Sequence, residues 1–436
     1  MTDRPARSPL PRVHALGVLL ALAALLPLAA QAQSFDAATR TVTVAPSGGG
    51  DDTPAVQAAL DACVAFGPDC TVQLEEGLFR TRQLLAYDFH GAFRGAGREA
   101  TVIEPFGVFP VNDDDNVVGR PPTPENPWPT HVAFVGGDVT VSDLTLRMTG
   151  EAPAEPWTIR DMTFDVMAHS LVITGDAADA RIERVAFEGG EGSFQGYNLI
   201  QGVYIQGSLP EPAADGMRPL RGTFVVRDST FTSMGWGSPL SNLEDALVLI
   251  AGNRYENVAT ALDTLDLSGT TVEIRGNTVE GAGIGFDFIQ GVFGAPEIAS
   301  RVIVHDNDLR GIDGLGIGVS GAEGAAPVRA LVADNRIALT GDAVGVGARG
   351  AEDGHVVDNV VTGEGRAGVA LGEAPDDGSP AQPVTGWTVA GNDLAGFTAQ
   401  GAGIVLGPGS DGLTVACDGS EGVRDEGRGN RVVCPE

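Results

Sequence analysis

The chain has 436 residues and a formal net charge of −31 at pH 7, with 61 glycines and 6% aromatic residues. A charge of this size and sign argues against nucleic acid or an anionic membrane as a partner. All 27 basic residues are arginines, which excludes Schiff-base and lysine-base chemistry. High solubility explains the acidity more simply than binding does, since a polyanionic ligand would need a bridging cation or a local cluster of arginines.

Residues 1–32 have the pattern of a cleavable signal peptide. Arg4, Arg7 and Arg12 form a basic start, residues 15–28 are apolar, and residues 30–32 are a small-x-small cleavage site. The apolar stretch is too short to favour a transmembrane helix. We therefore expect an exported protein, secreted or periplasmic, with no membrane insertion.

A short amphipathic helix is predicted after a strand in the next segment, residues 33–70. Asp52 or Thr53 can cap it, Pro54 suits its first position, and apolar residues at helical spacing continue to Phe66. Such a helix would cover the open end of the structure that follows.

The four cysteines predict two disulfides, because an even number in an exported chain is typical of an oxidising compartment. Cys63 and Cys70 are close neighbours, as are Cys417 and Cys434, so the simplest pairing is one local bridge near each end. Metal binding is the weaker alternative, since neither pair has zinc-ligand spacing and histidine is scarce.

Residues 71–436 are dominated by a repeat. In one copy, Val272 and Ile274 alternate inward, a short turn reaches Asn277, and Val279 points inward again. The repeat recurs at intervals of roughly 24 to 33 residues, which suits one coil of a solenoid each. We place inserted loops at about 107–135, 147–178 and 188–222, and a disulfide-clipped cap at the C-terminus.

The repeated asparagine has a structural explanation. A sharp bend between strands needs a residue that tolerates left-handed backbone geometry, and we assign that role to the asparagine. Stacked at about 4.8 Å per coil, its amides can hydrogen-bond along a ladder. We therefore interpret as structural, not catalytic, the residues Asn253, Asn277, Asn307, Asn335, Asn359 and Asn392.

A second motif follows each asparagine, as in residues 282–286 and 368–371. Its inward positions are branched or aromatic, and its outward positions are mostly Gly, Ala or Ser. Stacked, these segments would form a parallel sheet with a nearly bare outer face, where an extended ligand could lie.

The segments 49–60, 72–79 and 93–103 resemble the N-terminal region of pectin-lyase-like right-handed β-helix proteins, and the asparagine coils resemble their repeats. The resemblance implies an all-β fold: a single-stranded right-handed parallel β-helix with a short N-terminal capping α-helix. The superfamily includes polysaccharide lyases, glycoside hydrolases, epimerases, esterases, tailspikes and secreted proteins without assigned activity. The signature set of polygalacturonases has no match, and the Lys/Arg pair of alginate lyases cannot form without lysine.

We place the candidate catalytic residues on the bare outer face. Asp263 and Asp287 occupy outward positions on neighbouring coils, and Asp266 lies near a strand end. Coils about 4.8 Å apart bring carboxylates within the spacing that glycoside hydrolysis requires, and close carboxylates raise each other's pKa. Asp245, Asp263 and Asp287 are also candidate ligands for Ca²⁺, the one cofactor that we predict. Ordinary surface acids are the alternative.

Candidate substrate-binding residues lie upstream. Tyr204 and Gln206 occupy outward positions on a strand, and we place Trp236 in the long connection before the next one. Aromatic rings beside carboxylates suit stacking against the apolar faces of sugars, and loop packing is the alternative.

Two functions remain in balance. The first is a secreted protein that binds or processes an extended polysaccharide along the sheet, as a polysaccharide lyase or glycoside hydrolase if it is an enzyme. The second is a non-catalytic extracellular or cell-surface scaffold or adhesion protein. The resemblance and the cluster of acids and aromatics favour the first, whereas the missing signatures favour the second.

Overall fold

The computed structural model describes residues 33–107, 128–148, 157–159, 162–164, 166–190, 198–208, 218–292, 296–322, 324–374, 381–417 and 422–434. The predicted signal peptide, residues 1–32, lies outside them. No helix in the described ranges is both long enough and apolar enough to cross a membrane.

One α-helix, α1 (Thr53–Phe66), begins at Asp52 as N-cap and carries a proline in its first turn, as predicted. The Asp52 carboxylate accepts hydrogen bonds from the backbone N–H of Ser47 at 2.7 Å and of Arg80 at 2.9 Å. These bonds tie the start of the helix to the coils beneath it. The buried face of α1 closes the end of the core through Ala55, Val56, Ala59, Leu60 and Cys63.

β-Strands form the rest of the described structure. The N-terminal part contains β1 (Gln33–Asp36), β2 (Thr41–Val44), β3 (Cys70–Leu74), β4 (Gly77–Thr81), β5 (Leu84–Arg94), β6 (Thr101–Pro105), β7 (Thr130–Ser142), β8 (Thr145–Met148), β9 (Trp157–Ile159), β10 (Met162–Phe164), β11 (Val166–Glu183), β12 (Ala186–Gly189) and β13 (Asn198–Gln206). The middle part contains β14 (Thr223–Arg227), β15 (Thr230–Trp236), β16 (Leu240–Glu244), β17 (Leu247–Ala251), β18 (Arg254–Ser268), β19 (Thr271–Arg275), β20 (Thr278–Gln290), β21 (Ser300–His305), β22 (Asp308–Gly321), β23 (Val328–Ala333), β24 (Arg336–Leu339) and β25 (Val344–Arg349). The C-terminal part contains β26 (His355–Val357), β27 (Val360–Gly365), β28 (Ala367–Leu371), β29 (Val384–Thr385), β30 (Thr388–Ala390), β31 (Phe397–Ala399), β32 (Ile404–Leu406), β33 (Ser410–Asp411), β34 (Thr414–Ala416), β35 (Val423–Asp425) and β36 (Arg431–Val433).

The strands stack in parallel, each on its counterpart one coil away. β18 pairs with β20, and β20 pairs with β22, in long parallel registers. β1 and β2 pair antiparallel, as do β9 and β10. The predicted parallel β-helix is therefore confirmed, with β2 already part of its first coil because it pairs in parallel with β3.

The core lies inside the coils, where inward side chains stack at the coil spacing. The rings of Phe187 and Phe231 stack with centroids 4.8 Å apart, and those of Phe231 and Tyr255 with centroids 4.7 Å apart. This column continues the branched aliphatic rows that the period-two alternation predicts.

The asparagine ladder is confirmed. The Asn277 side-chain amide donates to Oδ1 of Asn307 at 2.9 Å, and the Asn307 amide donates to Oδ1 of Asn335 at 2.9 Å. The backbone assignment, however, was wrong: the residue before each asparagine takes the left-handed conformation, because the asparagine itself must keep its amide aligned with the next coil. Those bend residues are Gly252, Gly276, Asp306, Asp334, Asp358 and Gly391.

The structure corrects the bounds of the three predicted loops. Strands β7, β11 and β13 fill part of the segments assigned to loops at about 107–135, 147–178 and 188–222. Their inward side chains extend the core without an asparagine to mark the coil, which is why the repeat is hard to see there. Buried examples are Val132, Leu171 and Val203.

Both predicted disulfides are present. Cys63–Cys70 joins α1 to β3, and Cys417–Cys434 clips the last coil. Disulfides at both ends are typical of proteins that fold in an oxidising compartment.

Candidate functional site

The outer face of the sheet formed by β13, β15, β16, β18, β20, β22, β25 and β28 carries three parallel rows of outward residues. The central row contains Tyr204, Pro239, Asp263, Asp287, Gly318, Gly347 and Ala370. The Trp236 row contains Gln201, Trp236, Thr260, Ile284, Leu315 and Val344. The Gln206 row contains Gln206, Ser241, Leu265, Ile289, Ser320 and Arg349.

Asp263 and Asp287 lie directly opposite each other in the register of β18 and β20. Each is flanked by buried inward residues, so both carboxylates lie on the outer face, and each residue is itself half-buried. The sequence had placed these two aspartates on one face of neighbouring coils, and the register brings them together there.

The Asp263 carboxylate is the more strongly perturbed of the two. Burial, with a further contribution from the charge of Asp287, raises the pKa of Asp263 to about 7. Its Oδ1 is buried and has no hydrogen-bond partner within the described residues. A carboxyl group in this setting keeps its proton at pH values where ordinary aspartates have lost theirs.

The Asp287 carboxylate is better stabilised as an anion. Burial raises the pKa of Asp287 to about 6, and this rise is limited by a hydrogen bond from the backbone of Phe288 and by the charge of Arg349. Asp287 therefore ionises before Asp263. Two carboxyl groups in different environments can divide the roles of acid and base between them.

Gly318 gives the Asp287 carboxylate its space. A Cβ at this position would collide with Oδ1 of Asp287 and with the side chain of Leu315. The bare outer face is therefore required locally, because the carboxylate lies across it.

A cleft of about 170 Å³ opens beside Asp287, over Gly318 and Gly347. Arg349, at the end of β25, lines it and lies close enough to lower the pKa of Asp287. Arg366 and Glu373 line its far side. Sequence reasoning missed these three residues, because they come from separate coils and form no local motif.

Two of the predicted acids lie apart from the pair. The Asp266 carboxylate accepts a hydrogen bond from the backbone N–H of Val292 at 2.9 Å and another from that of Gly291, so it caps a turn. Asp245 is exposed in a left-handed turn at the end of β16. Neither turn position shares the central row with Asp263 and Asp287.

The predicted calcium ligands are not assembled. Asp245 lies at a turn, so Asp263 and Asp287 alone share a surface. Across the ranges that the structure describes, no three His, Cys, Asp or Glu residues are grouped so that they could hold a metal ion. Two carboxylates fall short of the six to eight oxygens that Ca²⁺ takes, and calcium binding stays a prediction.

Tyr204 is packed rather than open. Its ring stacks on His169 with centroids 5.1 Å apart, and it contacts a small apolar cluster of Trp128, Ala133 and Val172. Burial raises the pKa of Tyr204 to about 12. The N-terminal end of the outer face is therefore partly covered, which leaves little of the ring for a sugar.

The other two predicted binding residues flank the central row. Gln206 is 3% exposed, and its Nε2 has no hydrogen-bond partner in the described part of the chain. Trp236 was assigned to a connection, but it lies at the end of β15, paired in register with Gln201 and Thr260. Its half-buried ring is therefore held at a fixed place on the outer face.

No protein-family model matches the chain, and no curated protein matches its sequence. Among solved structures, it is similar to the Dettilon tailspike protein, with 14% identity over 90% of this chain and 68% of that chain and a TM-score of 0.50. It is also similar to the A-module of mannuronan C-5 epimerase AlgE4 from Azotobacter vinelandii, with 16% identity over 88% and 94% of the two chains and a TM-score of 0.42. A third similar structure is the polygalacturonase from Erwinia carotovora ssp. carotovora, with 12% identity over 91% and 93% of the two chains and a TM-score of 0.39.

Identities this low bear on the fold and not on the reaction. The parallel register, the internal ladder and the helical cap agree with the resemblance seen in the sequence. The chain has a parallel β-helix fold, and its likeness to the Dettilon tailspike protein is a likeness of fold alone.

Proposed function

We propose that the chain is an exported glycoside hydrolase that acts on an extended polysaccharide lying along the outer face. The observation that carries this proposal is the Asp263–Asp287 pair, two half-buried carboxylates in direct register on a face with small side chains beside them. Burying two carboxyl groups without full hydrogen bonding is costly, so their retention on an outer face points to chemistry.

The two environments suggest the roles. Asp263, which holds its proton to higher pH, donates it to the leaving-group oxygen as the glycosidic bond breaks, and the ionised Asp287 attacks the anomeric carbon to form a glycosyl ester. Water that gives its proton to the now ionised Asp263 then hydrolyses this ester and restores both aspartates. Strand backbones in direct register lie about 4.8 Å apart, so the two carboxyl groups can take the roughly 5–5.5 Å separation of retaining enzymes more readily than the longer separation of inverting ones.

Export is supported by two features that are independent of each other. The N-terminal segment has the pattern of a signal peptide, and both disulfides suit an oxidising compartment.

The test is an assay of reducing ends with the mature protein on a panel of neutral and acidic polysaccharides. D263N and D287N are expected to lower any activity at least a hundredfold, whereas D342N, a change at an exposed aspartate, leaves it unchanged. Activity that survives in both site variants would overturn the assignment. Hydrolysis and elimination both release a reducing end, so products that also carry an unsaturated, absorbing sugar at the other end would show a lyase instead.

A non-catalytic glycan-binding scaffold is the second candidate. It is favoured by the half-buried Trp236, which the strand register holds at a fixed place on the outer face. Binding of a polysaccharide with no cleavage, retained in D263N, would support the scaffold and refute the hydrolase.

A further inference from the structure

The residues on either side of the Asp263–Asp287 pair carry no charge. In the Trp236 row and the Gln206 row, six residues flank the central row where it crosses β18, β20 and β22. The four aliphatic ones, all half-buried, are Ile284, Leu315, Leu265 and Ile289, and the two with hydroxyl groups are Thr260 and Ser320. A sugar at the pair therefore meets mainly apolar surface on both sides.

This lack of charge is local. β17, β19 and β21 stack on one another to form a second face of the same coils. Four of the six outward residues on β19 and β21 are ionisable: Glu273, Arg275, Arg301 and His305. Outward positions on these coils thus commonly carry a charge, and the uncharged surroundings of the pair call for an explanation.

Leu315 lies across the floor of the cleft beside Asp287. A Cβ on Gly318 would be 2.6 Å from Cδ2 of Leu315, and a Cβ on Gly347 would be 3.2 Å from its Cδ1. The same Cβ on Gly318 would collide with Oδ1 of Asp287. The aliphatic group and the carboxylate therefore lie side by side over the central row, so a sugar that reaches the carboxylate also touches Leu315.

The charges at the pair disfavour an acidic sugar. The carboxylates of Asp263 and Asp287 are accompanied by the guanidinium of Arg349, whose charge already acts on Asp287. Across the cleft, Arg366 forms an ion pair with Glu373, with 3.4 Å between Nη2 and Oε2. A sugar carboxylate or sulfate would add a negative charge where the positive charges are already balanced.

An aliphatic side chain beside the carboxylate favours a methyl group on the sugar. Burying a hydroxyl group against aliphatic carbon without a hydrogen-bond partner is unfavourable, whereas burying a methyl group there is favourable. Sugars carry methyl groups at C6 of 6-deoxy sugars and in acetyl substituents. The cleft of about 170 Å³ over Gly318 and Gly347 is large enough for either substituent.

We infer that the sugar bound at the Asp263–Asp287 pair is uncharged and carries a methyl group, of a 6-deoxy or an acetylated sugar, that packs against Leu315 and Ile284. Leu315 is thus the residue that determines specificity for this substituent. The inference rests on the proposed function for the place of the sugar, whereas the preference for a methyl group is a separate property of the flanking residues.

The test is isothermal titration of the full mature protein with pairs of monosaccharides that differ in one group. L-Rhamnose is compared with L-mannose and L-fucose with L-galactose for the 6-deoxy group, N-acetylglucosamine with glucose for the acetyl group, and galacturonate with galactose for charge. We expect at least one methyl-bearing sugar to bind at least tenfold more tightly than its counterpart, and galacturonate to bind no more tightly than galactose. The pair that shows the preference tells a 6-deoxy sugar from an acetylated one. Equal binding within every methyl pair, or tighter binding of galacturonate than of galactose, would overturn the inference.

Substitutions of the aliphatic residues locate the preference. L315N, with an amide of similar size, should bind the preferred methyl-bearing sugar at least tenfold more weakly and its counterpart almost unchanged, whereas L315M should keep the preference. I284T is a second variant and should weaken the preference at least threefold. L247N is the matched control, since Leu247 is 58% exposed on the second face. An undiminished preference in both L315N and I284T would refute the assignment of these residues.

The two proposals fail in different ways. Cleavage of polygalacturonate that depends on Asp263 would overturn the preference for an uncharged sugar and support the hydrolase. Binding of a methyl-bearing sugar that depends on Leu315, without cleavage of any glycan, would do the reverse.

Discussion

Replacing Asp263 by asparagine should make the folded protein more stable at neutral pH while removing activity. The carboxyl group ionises against burial and against the charge of Asp287, and an amide of the same shape has no proton to lose. A gain in stability from a substitution at a half-buried polar position is typical of a site kept for function.

The magnitude follows from the two pKa values. The pKa of Asp263 is about 7 in the folded protein against an ordinary value of 3.8, so the folded state binds more protons than the unfolded state in this range. The stability that the protonated Asp263 contributes is therefore fully present below pH 4 and is lost as the pH rises to 7. At roughly 1.4 kcal/mol per pKa unit, the loss is about 1 to 2 kcal/mol at pH 5 and about 4 kcal/mol above pH 7.

Urea unfolding followed by circular dichroism measures this difference. D263N should be more stable than the wild type, and its advantage should grow by up to about 3 kcal/mol between pH 5 and pH 8. D342N, at an exposed position, is the control and should show no such growth. An advantage that does not change with pH, or a D263N protein less stable than the wild type at pH 8, would refute the assigned electrostatics.

Three further changes test other parts of the fold. Burial lowers the pKa of His131 and of His169 to about 4. The stability that each neutral histidine contributes above pH 6.5 should therefore be lost as the pH falls toward 4, by about 3 kcal/mol for each histidine. A urea midpoint that does not fall over that range would contradict this. G318A should displace the Asp287 carboxylate and lower activity more than tenfold with little change in thermal stability. G341A, at an exposed glycine whose φ of 71° makes an alanine strained, should lower thermal stability but leave activity unchanged. N307A should cost about 3 kcal/mol, because its neighbours in the ladder lose buried hydrogen-bond partners, and an unchanged urea midpoint would show that the ladder contributes nothing.

Much of the fold could be predicted from local patterns. Alternation fixes which side chains point inward, and the recurring asparagine marks the coils, because both depend on neighbouring residues along one strand. The same alternation placed Asp263 and Asp287 outward on adjacent coils. The two disulfides were also predicted correctly, because the cysteines of each pair lie close together in the sequence.

The burial of the predicted residues could not be predicted in the same way. Tyr204 is covered by His169 and Trp128, which come from coils earlier in the chain, and Asp266 turns inward to cap a neighbouring turn. The left-handed residue of each bend is the one before the asparagine, since the backbone of the bend and the amide ladder must be satisfied together.

The sequence by itself determined the solenoid, its helical cap and the face on which two aspartates meet. The tertiary structure alone decided the order in which those aspartates ionise, since burial, the backbone hydrogen bond from Phe288 and the charge of Arg349 set it. The tertiary structure also determines where the cleft beside Asp287 forms. Arg349, Arg366 and Glu373 come together there only because the register of three coils, with insertions of different length between them, brings them close. The period-two pattern specifies whether each side chain of a strand points inward or outward, whereas contacts between coils depend on how the coils stack.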